Sequence, residues 1–268
     1  VVRKRSLRFC EEKGELVMQA LLTLTRRELA AYFCSFTGYV IIAAGSFLMG
    51  LSFVLLIWNL GSEASPMPVT EMFYLTLFFW IILLLLTPVI TMRLFALERF
   101  SGTFETLMTT PVGDMQVVLA KFIAAQLFYI VMWLPLLVCL YALRYFNHDS
   151  TGMDAGAIGA TFLGIFLLGC AFVSLGCFAS AITRSQAVAA IVSLAGGVSL
   201  FLLSFAPRLL PAQSHTLQAQ VLSSVALLDQ MHDFARGVVD TRPVIVYLSL
   251  TFFFLFLTLR AVESRRWK

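Results

Sequence analysis

The stretch from Gly38 to Leu60 reads GYVIIAAGSFLMGLSFVLLIWNL and contains no charged residue. Its apolar side chains fall on every face, so it shows neither the alternation of a half-buried strand nor the single stripe of a surface helix. A run of this length suits an α-helix that crosses the hydrocarbon of a bilayer, which takes about 20 residues. Five further runs follow: Met72 to Met92 with Pro88 inside, Val117 to Leu143 with Pro135 inside, Ala157 to Ile182, Ala187 to Phe205, and Val244 to Leu259. Proline is tolerated in a membrane helix, because neighbouring helices and hydroxyl side chains satisfy the carbonyl it frees. The expected class is an all-α integral membrane protein with six transmembrane helices.

Composition agrees. Of 268 residues, 60% are hydrophobic and 13% charged, with 25 Phe and a mean hydropathy of +0.90. Soluble domains hold roughly 25% charged residues, which excludes an ordinary water-soluble enzyme. The positions of the charges matter more than the net +4. With six crossings, both termini share a side with the second and fourth connections. Of the 19 Lys and Arg, all but Arg144, Arg208, Arg236 and Arg242 fall on that side. The positive-inside rule then places both termini in the cytoplasm and the protein in the cytoplasmic membrane. The chain opens on Val1, and Met18 offers a second start; without Val1 to Val17 the bias keeps its sign. Residues 1–36 read as a cytoplasmic N-terminal segment. Within it Leu16 to Phe36 forms an interfacial helix, with Val17, Leu21, Leu24 and Phe33 available to the membrane surface. Residues 37–268 read as the six-span domain.

Sites for chemistry are sparse. The five Cys, at 10, 34, 139, 170 and 177, show no CxxC spacing, and three lie in the spans as small apolar residues. His148, His215 and His232 fall in predicted outer loops without metal-ligand spacing, and no HExxH, GxSxG or Walker A pattern occurs. The expectation is no catalytic, metal or cofactor residue, and no nucleic-acid partner. The spans hold almost no ionisable residue away from their ends, whereas ion-coupled carriers keep one there for their relay. A membrane enzyme acting on lipids needs clustered Asp, His or Arg at one face, and only scattered ones are present.

Between the second and third runs lies LFALERFSGTFETLMTTP, Leu94 to Pro111. On a helical wheel Leu97, Phe100, Phe104, Leu107 and Met108 share an arc of about 100°, while Glu98, Gly102, Glu105 and Thr109 share one of about 60°. This predicts an amphipathic cytoplasmic helix over 97–111, its apolar face toward the bundle and its acidic face toward water or a partner. Pro111 stops it.

Here the residues carry a resemblance. Glu98-x3-Gly102-Thr103-x-Glu105-x-Leu107-x3-Pro111, followed by Lys121, resembles the signature of ABC-2 type transporter permeases. Arg27-Glu28-Leu29-x2-Tyr32-Phe33 is similar to that family's N-terminal segment. His232-x-Phe234-x-Arg236-Gly237-Val238-Val239-Asp240, with Glu263-Ser264-Arg265-Arg266-Trp267 after the last span, resembles the branch of gliding-motility and nitrous-oxide-reductase-maturation permeases. The likeness runs from about residue 24 to the C-terminus. Two features depart from it: Pro243 at the head of the sixth span, and a short outer loop from Arg144 to Asp154.

The resemblance implies an ABC-2, type V exporter-like fold in which this chain hydrolyses nothing. ATP and Mg would sit on a separate cytoplasmic ABC ATPase, and the permease would pair with a second permease, either a copy or a paralogue. The 97–111 segment would be the coupling helix, with Glu98, Gly102, Thr103, Glu105, Leu107 and Pro111 as coupling residues. Residues 206–242 would form an outer re-entrant or surface segment, with His232, Arg236 and Gly237 as gating candidates. Small residues such as Gly164, Gly169 and Gly176 would allow close helix approach. The implied function is ATP-driven passage of a substrate. The rival within the same fold is an ATPase-coupled assembly or motility factor that moves no solute.

Overall fold

The structure, a computed structural model, describes residues 2–60, 69–100, 102, 113–146, 155–205 and 226–266. Ten helices occur among them: α1 (Val2–Phe33), α2 (Phe36–Leu60), α3 (Val69–Leu75), α4 (Leu77–Thr91), α5 (Ala96–Phe100), α6 (Asp114–Phe146), α7 (Ala155–Ile182), α8 (Gln186–Leu203), α9 (Leu227–Ala235) and α10 (Thr241–Arg266). Six stretches are long and apolar enough to cross a membrane: Phe36–Trp58, Leu77–Phe100, Asp114–Ala142, Gly156–Ile182, Gln186–Leu203 and Thr241–Ser264. The expected six-span all-α architecture is observed. The crossings define a near end, where α1, α5 and the start of α6 meet, and a far end that carries α3 and α9.

α7 is the axis of the bundle. In its most apolar window 78% of residues are buried, against 17% for α8 and for α10, so the last two spans flank it. α10 runs along α7, and α4, α6 and α8 pack on its other sides. Close approach is possible because α7 offers glycine at the crossings. A Cβ on Gly169 would overlap the Tyr129 ring of α6, and one on Gly176 would overlap Thr91 of α4. The core between them is aromatic: Phe79 meets Trp133 at 5.3 Å and Trp80 at 5.2 Å, all three buried.

Proline and hydroxyls settle the irregular turns. In α4, Thr87 donates to Leu83 O and Thr91 to Thr87 O, so hydroxyls near Pro88 bond carbonyls of their own helix. Pro243 occupies the first turn of α10, where no intrahelical N–H is required, and Asp240 Oδ1 accepts from Arg242 N just ahead of it. The second apolar run differs from expectation. Its first residues belong to α3, and the chain breaks at Thr76, whose ψ of 137° is extended rather than helical. The membrane-crossing part therefore begins at Leu77, five residues later than apolarity alone suggests.

α1 is longer than the expected interfacial helix and ends at Phe33, where Cys34 and Ser35 turn the chain into α2. Val17 is exposed, but the last turns pack on α6: Tyr32 stacks on Phe128 at 4.7 Å, and Phe33 meets the same ring edge-on at 5.5 Å. The Tyr32 hydroxyl donates to Ile90 O at 2.8 Å. Burial pushes its phenol well above the ordinary range, so it stays protonated as that donor.

Candidate functional site

At the near end a buried cation gathers three helices. Lys121 lies about two turns into α6, and its side chain is 2% exposed. An ammonium in such a place demands a counter-charge. Its Nζ sits 2.8 Å from Glu98 Oε1 of α5 and 3.2 Å from Glu28 Oε2 of α1, and it lies 5.5 Å from the centre of the Phe95 ring. Arg27 closes the group from outside, 2.8 Å from Glu28 Oε1 and 3.4 Å from Glu98 Oε1. Two cations thus balance two carboxylates. The hydrogen bond to Glu28, with the charges of Glu28 and Glu98, raises the Arg27 guanidinium above its ordinary value. A cavity of about 200 Å³ opens beside the group, so water reaches its outer side.

The same corner is fastened from below. Ser180 of α7 accepts hydrogen bonds from Phe95 N at 3.0 Å and Ala96 N at 3.1 Å, and donates to Met92 O at 3.3 Å. One hydroxyl therefore satisfies backbone donors at the start of α5 and the carbonyl that ends α4. Arg93 reaches Ser35 Oγ at 3.2 Å and also Thr37 Oγ1, which ties the corner to the α1–α2 turn. Arg99 donates to Thr183 O at 3.5 Å, just past α7.

This geometry corrects the face assigned to the start of the 97–111 segment. Glu98, expected to face water or a partner, turns inward to Lys121, while Phe100 is 80% exposed and Leu97 is 36% exposed. The need of Lys121 for a carboxylate outweighs the burial of one ring. Continuity is corrected too: α5 ends at Phe100, and Gly102 stands at φ +72°, where an α-helix does not continue and glycine carries no steric cost. Thr103, Glu105, Leu107 and Pro111 lie outside the described residues.

At the far end the buried charge is an anion. Glu71 of α3 is 1% exposed, and its Oε1 accepts from Arg236 Nε at 3.1 Å and Nη2 at 3.0 Å, with His232 Nε2 at 2.7 Å. His232, in the last turn of α9, and Arg236, which caps that helix in a helical conformation, are four apart and so share a face. The hydrogen bond to Glu71 raises the Arg236 guanidinium above its ordinary value. α9 seats its apolar side on α7, with Met231 and Phe234 buried against Gly164. Gly237 ends it at φ +84°, and its amide donates to Phe234 O at 3.0 Å. The three gating candidates are thus brought together, with Glu71 as a partner that sequence reasoning missed. Its signal was a lone carboxylate flush against an apolar run. Ser180 gave no comparable signal, since a serine inside an apolar run has many bland uses.

Residues 52–236 match the family model described as "ABC-2 family transporter protein". The match carries the family and no branch within it. A search of curated proteins finds none that matches the chain.

Proposed function

The chain belongs to the ABC-2 transporter family, and from that premise we propose how it works: as the membrane subunit of an exporter whose near end lies in the cytoplasm and receives a separate ATPase. A permease of this family is one part of an ABC transporter, with the ATPase on another chain. In this reading ATP and Mg bind the ATPase, both termini are cytoplasmic, and two permease subunits line the path.

The observation that carries the reading is the fastening of α5. A short helix that leads into a docking segment must be rigidly joined to the spans if a push on that segment is to move them. Glu98 joins α5 to α6 and α1 through Lys121, and Ser180 joins it to α7. Glu98 and Lys121 are then positioning residues. Gly102 redirects the chain, and Thr103, Glu105, Leu107 and Pro111 meet the ATPase. When two ATPase subunits close on ATP, each carries its docked segment, and the α5 corner passes the shift to α4, α6 and the axial α7. At the far end the Glu71 contacts with His232 and Arg236 hold α9 shut until the bundle moves, and Gly237 is the swivel.

A detergent pull-down of this chain co-expressed with a cytoplasmic ABC ATPase of the same organism tests the reading. The wild type is expected to capture it, and a normally inserted Gly102→Pro, Glu105→Arg variant is expected not to. Equal capture by both moves the docking site elsewhere; capture by neither removes the ATPase from the account. The rival reading, ATPase-driven assembly or motility work as in the gliding and nitrous-oxide-reductase permeases, predicts the same capture. It is separated by reconstituted vesicles, in which only the exporter reading predicts ATP-dependent loss of a solute or lipid from one side.

A further inference from the structure

A cavity of about 480 Å³ lies at the far end, beside the Glu71 group and sharing only His232 with it. Its size falls within the roughly 300–1,000 Å³ of ligand sites. One wall is aromatic, formed by Tyr74, Trp80, Phe201 and Phe205, with Trp80 and Phe201 rings 4.9 Å apart. The other is polar at one edge, where Asp229 and His232, three apart on α9, face it together. Two features fix what can enter. The first is depth: the cavity sits where α4 begins at Leu77 and just past the last residue of α8, Leu203, the level at which a bilayer changes from hydrocarbon to head groups. The second is direction. Leu77, which lines it, is 67% exposed on the first turn of a span, so the cavity is open on the side of an apolar, span-forming surface.

We infer that this cavity holds an acyl chain of a membrane lipid from the far leaflet, the chain against Trp80, Phe201 and Phe205 and the head group at the Asp229–His232 edge. An apolar chain gains by leaving neither water nor a void against the rings, and the polar edge keeps the head at its own depth. Since His232 both lines the cavity and touches Glu71, the lipid lies against the same helix that the Glu71 contacts hold. The inference rests on the membrane-spanning reading and is independent of the ATPase, so it survives a failed pull-down.

Bromine on an acyl chain quenches tryptophan fluorescence only at short range, and the tryptophans here provide internal controls. Trp58 is 77% exposed, Trp133 is 1% exposed, and Trp80 is 3% exposed. Proteins that keep one of these three, with the remaining tryptophans changed to Phe, are placed in nanodiscs of phosphatidylcholine, an increasing share of it brominated on one acyl chain. Trp58 is expected to lose its emission and Trp133 to keep it. Trp80, although as buried as Trp133, is expected to be quenched to a plateau, and Leu77→Phe with Leu228→Phe, two lining positions whose larger rings narrow the cavity, is expected to weaken that quenching without changing Trp58. Emission from Trp80 as bright as that from Trp133 overturns the inference, since another occupant or none fills the space. Undiminished quenching of Trp80 in the narrowed variant overturns it as well, because the contact then comes from bulk lipid.

Discussion

The two ends of the bundle solve one problem with opposite signs. At the near end the buried charge is a cation, Lys121, rooted in a span and answered by two carboxylates from two other helices. At the far end it is an anion, Glu71, on a short helix outside the span and answered by two groups of a single helix. The near-end cation is enclosed by partners that are themselves mostly covered, with Glu28 13% and Glu98 17% exposed. Arg236, by contrast, is half exposed and can turn to water. Removing a buried charge's partners is costly only when neither side can re-solvate. The near end should therefore behave as a joint and the far end as a catch.

The largest effect should come from Lys121→Met. It leaves Glu28 and Glu98 with only the half-exposed Arg27 between them and no buried cation, a loss of up to about 3–5 kcal/mol for a broken buried pair. Thermal unfolding in detergent should show it, and adding Glu98→Gln should recover part of the loss. If the double variant is no better than the single, the joint is not electrostatic. Gly176→Leu comes next: the new side chain meets Thr91, overpacking worth about 1–3 kcal/mol, and ATPase stimulation by the permease should fall while insertion persists. Ser180→Ala removes the hydroxyl shared by Phe95 N and Ala96 N and leaves these buried donors unsatisfied, at a cost of about 1–3 kcal/mol. Hydrogen exchange at residues 95–100 should rise, with the rest of α7 unchanged. The smallest change in stability should come from Glu71→Gln, because Arg236 is free to hydrate. Its signature is local: faster proteolysis or exchange in α9 with an unchanged unfolding temperature. A large global loss there would erase the distinction between joint and catch.

Much of the fold was legible because length and apolarity are what a bilayer selects. The runs beginning at Ala157 and Ala187 matched α7 and α8 within a few residues. The break at Thr76 was not legible: Phe73, Tyr74 and Phe79 are apolar on both sides of it, and only packing on α7 and α9 separates α3 from α4. At the candidate site the wheel turned Glu98 the wrong way. A wheel ranks a helix's own residues and is blind to a cation waiting on another helix. Glu71 and Arg236 are far apart in the chain, and no local pattern joins an acid at the head of one span to an arginine before another.

The extended backbone at Thr76 has a mechanical corollary. α3 is separated from α4 there, while Glu71 attaches it to α9, and α9 in turn is set off from α10 by Gly237. α3 and α9 therefore form a clasped pair suspended on two pivots, one at each point where the chain re-enters a span. Tilting α4 or α10 turns those pivots before it strains the clasp, so the pair can ride through small excursions of the bundle and open only when both pivots are driven together.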